Sequence, residues 1–195
     1  MKKIWLIRHA ESESNAGMRS SDPAMIPLSS SGLEQAKKLV EKFIDPPNLV
    51  ITSPYIRTQE TAAPLLEKYP DIPSEEWRVH EFTFLSPSRC QNTTQVERLP
   101  MVKEYWGQCD PAYCDGQGAE SFIDLIDRAK SAINKLKNVD EKFIALFSHE
   151  QFITAVLWVG FDKEPSFSRN TMMGYRAFLG DNRIPNTGIR EILMD

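Results

Sequence analysis

The chain has 195 residues, enough to bury one substantial core, and this length predicts a single domain over residues 1–195. With 41% hydrophobic and 26% charged residues, its composition is that of an ordinary soluble globular protein. The formal net charge of −4 argues against nucleic-acid binding through bulk electrostatics, but it leaves room for a local basic pocket. No run approaches the roughly 20 apolar residues of a membrane span, and the run after Lys3 is too short for a secretory signal, so we expect a cytoplasmic protein.

Three short apolar runs, each followed by a sudden polar break, predict the first strands of a sheet. They are Ile4 to Ile7, "NLVITSP" at residues 48–54 and "KFIALFSHE" at residues 142–150. A continuous apolar run fits a strand that is covered on both faces, as in the middle of a parallel sheet.

Helical patterns separate these strands. Ser31 and Glu34 form a capping-box pattern, and apolar residues then recur at helical spacing at Leu33, Ala36, Val40 and Phe43. A second apolar stripe begins at Phe122 and ends at Leu136, and residues 151–159 fit a buried helix after the third strand. The alternation predicts an α/β fold of three layers, in which a mostly parallel central sheet is flanked by helices on both faces.

The remaining segments are less regular. The C-terminal part predicts two more strands, "GYRAFL" at 174–179 and "TGIREILM" at 187–194, joined by a polar turn. Residues 82–119 match no regular pattern, so we expect an irregular excursion that covers the active site, with its aromatic residues forming a small core of their own: Tyr105, Trp106 and Tyr113. The cysteines match no zinc spacing and are expected to be free thiols: Cys90, Cys109 and Cys114.

The polar breaks contain the candidate reactive residues. The first strand ends in Arg8 and His9, the second leads to Arg57, and the third ends at His149. Because ligands of open α/β sheets bind at the carboxyl ends of the strands, we expect these side chains to meet at one edge. Two guanidinium groups suit a phosphate dianion, and a neutral imidazole beside them can attack phosphorus. The pattern therefore predicts a site for a phosphomonoester.

A leaving alkoxide needs a proton, and Glu81 is the candidate donor because it follows a short extended stretch and precedes the irregular segment. Beside a bound dianion the pKa of its carboxyl group should rise. His80 has an equal claim from the residues alone. Each candidate also has an ordinary alternative: a structural histidine for His149, and a solvated surface residue for Arg57 and for Glu81.

Seven segments resemble, in order, motifs of the histidine phosphatase superfamily, also called phosphoglycerate mutase-like. The resemblance extends from residue 6 to residue 189, and the ordered set is far more specific than the arginine–histidine dyad alone. The segments are "LIRHAESESN" at 6–15, "LSSSGLEQA" at 28–36, "SPYIRTQETA" at 53–62, Glu81, "GAESFIDLIDRA" at 118–129, "FSHEQFITAVL" at 147–157 and "NTGI" at 186–189.

The resemblance implies a mostly parallel sheet flanked by helices, and chemistry that needs no metal ion or other cofactor. It implies His9 as the phosphorylated nucleophile and Glu81 as the proton donor. It also implies that the phosphate is held by a wider set of side chains: Arg8, Arg57, His149, Asn15 and Asn186.

Two departures from the family pattern lie beside the site. Ala10 follows His9 where the family usually has glycine, and Glu150 follows His149 where glycine is common. We expect a metal-independent phosphatase that acts on a small phosphorylated substrate through a phosphohistidine. Two alternatives stay open: a phosphotransferase of the phosphoglycerate mutase type, although dedicated mutases of the family are generally longer, and a non-catalytic phosphate-binding module.

Overall fold

The computed structural model describes residues 1–161 and 167–194 of the chain. Within these residues a five-stranded sheet has the order β3-β2-β4-β1-β5. The first four strands pair in parallel, and β5 pairs antiparallel with β1 at one edge. The mostly parallel sheet is thus confirmed, and its strands are β1 (Lys2–Arg8), β2 (Leu49–Thr52), β3 (Ser74–Glu76), β4 (Phe143–Ser148) and β5 (Ile189–Met194).

Helices cover both faces of the sheet. On one face Ile7 and Val50 pack against buried residues of α1 and α2. On the other face Ile4 and Leu6 pack with residues of the remaining helices. Because successive strand residues point to opposite faces, β1 needs apolar residues on both sides, which explains its unbroken apolar run. The predicted three layers are confirmed, with helices α1 (Ser30–Leu39), α2 (Ile56–Lys68), α3 (Gln95–Gln108), α4 (Phe122–Lys137), α5 (Glu150–Phe161) and α6 (Arg169–Asp181).

Helix α1 is capped two residues earlier than the sequence pattern predicted. Ser29 is the N-cap, and its Oγ accepts the Gly32 N–H at 3.0 Å. Leu33 is consequently turned toward solvent, with 46% of its surface exposed. Gly32 instead faces the core side, where a Cβ atom would lie 1.9 Å from the Glu11 carbonyl oxygen. The close approach of α1 to the loop after β1 therefore requires glycine at this position.

The predicted strand at residues 174–179 is wrong, because this segment lies within α6. Its aromatic residues favour a strand locally. In the folded chain, however, Met172 and Tyr175 are buried at helical spacing, and the Tyr175 hydroxyl donates to the Gln151 carbonyl at 2.7 Å. Packing against α5 therefore decides the conformation. The second predicted C-terminal strand is present as β5.

Residues 82–119 are more ordered than predicted, because they contain the 14-residue helix α3. Thr94 caps this helix, its side chain accepting the N–H of Glu97. The expected separate aromatic core is also wrong. Tyr105 and Trp106 belong to the main core, where the Trp106 ring stacks on Tyr175 of α6 at a centroid distance of 6.3 Å.

Three further observations concern the described part of the chain. None of its helices is long and apolar enough to cross a membrane. Its cysteines are all free. No group of three or more histidine, cysteine, aspartate and glutamate side chains within it is arranged to hold a metal ion.

Candidate active site

The site lies at the carboxyl ends of β1 and β4, which are neighbours in the sheet. Arg8, the last residue of β1, is in register with Ser148, and the His9 N–H donates to the Ser148 carbonyl at 2.9 Å. The chain leaves the strand at His9, so Arg8 and His9 are not forced to opposite faces of the sheet. His149 follows β4 directly, and the two imidazole centroids lie 5.1 Å apart.

Arg57 joins the two imidazoles. Its Nε–H donates to His9 Nε2 at 3.2 Å, and its Nη2 donates to His149 Nδ1 at 3.0 Å. A third bond anchors Nη1 to the Pro23 carbonyl at 2.6 Å. The residue belongs to the first turn of α2 and is only 6% exposed, so it is not a solvated surface residue. Burial lowers the pKa of its guanidinium to about 10, which still leaves it cationic at neutral pH.

The hydrogen bonds define the tautomers of both histidines. A guanidinium group only donates, so the imidazole nitrogens that face Arg57 must accept. The opposite nitrogens then donate, His9 Nδ1 to the Ala10 carbonyl at 2.6 Å and His149 Nε2 to Ser53 Oγ at 2.8 Å. Burial lowers the pKa of both imidazoles well below 6.5, and the positive charge of Arg57 makes the second largest contribution in the same direction. Both rings are therefore neutral at pH 7, and His9 Nε2 carries a lone pair.

Glu81 lies near the two histidines and Arg57, with its side chain at the N-terminus of α5. One carboxylate oxygen, Oε1, accepts the N–H groups of Phe82 at 2.9 Å and Gln151 at 3.2 Å. Burial raises the pKa of Glu81, and the charge of Glu150 raises it further, whereas the Phe82 N–H and the nearby guanidinium groups lower it. The net direction is upward, as predicted. The main cause differs from the prediction, because burial raises this pKa before any phosphate binds.

A partly buried ionic network holds the backbone next to Glu81. Arg128 donates to both carboxylate oxygens of Glu120 at 2.8 Å, and its Nη1 donates to the His80 carbonyl at 2.7 Å. His80 Nε2 faces the same carboxylate at 3.5 Å. The His80 side chain is therefore engaged by Glu120, which leaves Glu81 as the better-placed candidate acid.

Asn15 and Asn186 are hydrogen-bonded to each other next to the His9 backbone. The Asn186 amide donates to the His9 carbonyl at 3.0 Å and to Asn15 Oδ1 at 3.2 Å. Asn15 Oδ1 also accepts the Ser12 N–H at 3.2 Å. Both asparagines thus contact the loop that carries His9, and in this structure Asn186 uses its amide hydrogens to hold that backbone.

Glu150 lies beside the pocket, as its position next to His149 in the sequence predicted. Its Oε2 pairs with Arg8 Nη1 at 3.1 Å, and its Oε1 pairs with Arg183 Nε at 3.1 Å. The same Arg8 nitrogen also donates to the Ile184 carbonyl at 2.5 Å.

Two residues of this arrangement escaped the sequence-based reasoning. Ser53 follows β2 in the polar break, and the same logic that selected Arg8 and His9 would have found it. Arg183 lies in a polar turn, and no local pattern distinguishes it from other surface arginines.

Comparison with solved structures shows the same fold in several phosphatases. One is a putative α-ribazole-5′-P phosphatase from Escherichia coli (TM-score 0.74, 22% identity, 100% of this chain and 92% of that chain covered). Another is the mycobacterial glucosyl-3-phosphoglycerate phosphatase complexed with VO3 (TM-score 0.73, 20% identity, 99% and 91% covered). A third is a phosphoserine phosphatase mutant from Entamoeba histolytica complexed with phosphoserine (TM-score 0.72, 20% identity, 100% and 92% covered).

At these identities the likeness concerns the fold. None of the curated proteins compared with the chain matches it. The family model described as the histidine phosphatase superfamily (branch 1), however, matches residues 4–178, which is most of the sequence. Together with the ordered motifs, this match shows that the chain belongs to the histidine phosphatase superfamily.

Proposed function

We propose that this protein hydrolyses a small phosphomonoester through a phosphohistidine on His9, without a metal ion. The observation that carries the proposal is the position of Arg57, whose guanidinium group donates to His9 Nε2 and to His149 Nδ1. A single cation thus lies against the lone pair of a neutral, buried imidazole. Such a group can hold a phosphoryl oxygen while the imidazole attacks phosphorus.

In the first half-reaction, His9 Nε2 forms a bond to phosphorus and the bond from phosphorus to the ester oxygen breaks. Arg57 and Arg8 stabilise the negative charge on the non-bridging oxygens, which is the main catalytic requirement of phosphoryl transfer. Glu81, whose raised pKa favours the protonated carboxyl group, gives its proton to the leaving oxygen. The products are an alcohol and a phosphohistidine.

In the second half-reaction, the Glu81 carboxylate takes a proton from water. The water oxygen attacks phosphorus, the N–P bond breaks, and the electron pair returns to His9 Nε2. Phosphate leaves, and Glu81 is protonated for the next cycle. The hydrogen bond from His9 Nδ1 to the Ala10 carbonyl supports this step, because it keeps Nε2 as the reactive nitrogen throughout.

The three related structures described above support hydrolysis as the reaction class, since each is named as a phosphatase. His80, the third histidine of the chain, provides the control for the identity of the nucleophile. The His9→Ala variant should form no acid-labile phosphoenzyme and should lose turnover, whereas His80→Ala should still form the phosphoenzyme. A labelled intermediate that survives in His9→Ala would assign the nucleophile to another residue.

The acid role of Glu81 has its own test. The Glu81→Gln variant should slow the hydrolysis of alkyl phosphates by about a hundredfold or more, because an alkoxide needs a proton to leave. Hydrolysis of p-nitrophenyl phosphate should slow far less, because nitrophenolate leaves without one. Equal slowing of both substrates would remove Glu81 from this role.

A further substrate, 3-phosphoglycerate, separates hydrolysis from the two alternatives. With 3-phosphoglycerate, a phosphatase releases inorganic phosphate, whereas a mutase gives the 2-phospho isomer without phosphate release. A binding module would release no more phosphate than His9→Ala does. Rapid isomerisation would replace the hydrolytic proposal by the mutase. Phosphate release no greater than that of His9→Ala would replace it by the binding module.

A further inference from the structure

A buried carboxylate beside an anion-binding pocket needs an explanation. Glu150 is 7% exposed and contacts Arg8, one of the two candidate phosphate-binding arginines. By simple electrostatics its negative charge repels a phosphate dianion and offsets the charge of Arg8. A residue that only filled space at this position would not need to be charged.

The partners of Glu150 provide the explanation. Its Oε2 pairs with Arg8, while its Oε1 pairs with Arg183 Nε at 3.1 Å and accepts the Ile184 N–H at 3.2 Å. One carboxylate therefore holds two guanidinium groups side by side, one on each oxygen. The three side chains together keep a net positive charge, and that charge extends beyond Arg8 toward solvent.

Arg183 differs from the two pocket arginines in its exposure. Its side chain is 66% exposed, and among the described residues it is paired only through Nε, to Glu150. Both Nη groups are thus available for a further acceptor. A guanidinium group whose two Nη groups are unpaired presents a planar pair of donors, which is the arrangement that binds a carboxylate with two hydrogen bonds.

We propose that Arg183, held in place by Glu150, binds a carboxylate group that the substrate carries close to its phosphoryl group. This inference rests on the proposed function and names the substrate class as phosphorylated carboxylic acids. A carboxylate suits the local charge better than a second phosphate, because Arg8, Arg57 and Arg183 are already offset in part by Glu150. A bisphosphate would leave two unpaired negative charges where an acid leaves one.

The test uses two compounds that differ only in the carboxylate: 3-phosphoglycerate and glycerol 3-phosphate. The wild-type protein should have the higher kcat/KM with 3-phosphoglycerate. In Arg183→Gln the ratio of the two kcat/KM values should fall about tenfold, which corresponds to about 1.4 kcal/mol. Arg183→Lys should restore part of the ratio, because it keeps the charge and loses the planar fork.

Arg19→Gln is the matched control, because Arg19 also forms an exposed pair with a glutamate, Glu97, and no described contact joins it to Glu150. The ratio should not change in this variant. A ratio that is equal in Arg183→Gln and the wild type would overturn the proposal. An equal fall in Arg19→Gln would also overturn it, because the effect would then be general electrostatics.

Calorimetric binding of the same two compounds keeps the inference separate from the proposed function. If the wild-type protein hydrolyses neither compound, and no alkyl phosphate or p-nitrophenyl phosphate either, the proposed function fails. Tighter binding of 3-phosphoglycerate that is lost in Arg183→Gln would still support the carboxylate site. Equal binding of both compounds to the wild type would refute it.

Discussion

Replacement of Glu120 by glutamine should lower the free energy of unfolding by about 2 kcal/mol at neutral pH, and by less in acid. Burial by itself would raise the pKa of Glu120, but the hydrogen bonds and charge of His80 and Arg128, with the Thr83 N–H, lower it from 4.5 to about 2. This difference corresponds to at most about 3.4 kcal/mol, at 1.36 kcal/mol for each pKa unit. Solvent screening of the partly accessible carboxylate reduces the figure to about 2 kcal/mol.

The pH dependence has a defined sign. Because the folded-state pKa is depressed, the stabilisation is fully present above pH 4.5 and is lost as the pH falls toward 2. Urea unfolding of the wild type and Glu120→Gln at several pH values measures it. Between pH 6.5 and 3.5 the difference between the two proteins should narrow by about 1 kcal/mol.

Glu34→Gln is the control, because Glu34 forms a fully exposed pair with Lys37 on α1. Its effect on unfolding should be much smaller at every pH, since exposed pairs are screened. A difference between wild type and Glu120→Gln that does not change with pH would refute the reasoning. In that case the effect of the substitution would come from packing and not from the charge that Arg128 stabilises.

Two substitutions of glycine by alanine should have opposite effects. Gly32→Ala should destabilise the protein by about 1–3 kcal/mol in urea unfolding, because its Cβ would meet the Glu11 carbonyl at 1.9 Å. Gly107→Ala in α3, with nothing within 4 Å of its Cβ, should stabilise it by about 0.5–1 kcal/mol. A similar effect at both sites would contradict the packing argument. Glu150→Gln should bind inorganic phosphate several-fold more tightly in calorimetry, because a negative charge beside Arg8 is removed; weaker binding would show that Glu150 orients Arg8 more than it repels the anion.

The candidate reactive residues could be selected from the sequence because each lies in a polar break directly after an apolar strand. Arg8 ends β1, His9 and His149 directly follow their strands, and Arg57 lies in the first turn of the next helix. A general rule about sheet edges then predicted their proximity without any coordinates. Glu81 was weaker from the residues alone, since residues 77–81 form no strand and its role came mainly from the resemblance.

The errors in the fold prediction have a common cause. Residues 174–179 have strand-like local preferences, and residues 82–119 have no clear periodicity, yet α6 and α3 form in these regions. Both helices contribute aromatic side chains, Tyr175 and Trp106, that stack on each other in the main core. Such contacts join residues far apart in the sequence, and they outweigh weak local preferences.

The sequence by itself determined which residue types end each strand of this protein, and those residue types predict a phosphate-binding site. Only the tertiary structure decided the protonation and pairing of those groups. Arg57 selects the imidazole nitrogen that accepts, burial raises the pKa of Glu81, and Glu150 connects Arg8 to Arg183. The physical reason is that strand ends follow from neighbouring residues, whereas hydrogen bonds, desolvation and ion pairs depend on groups that only folding brings together.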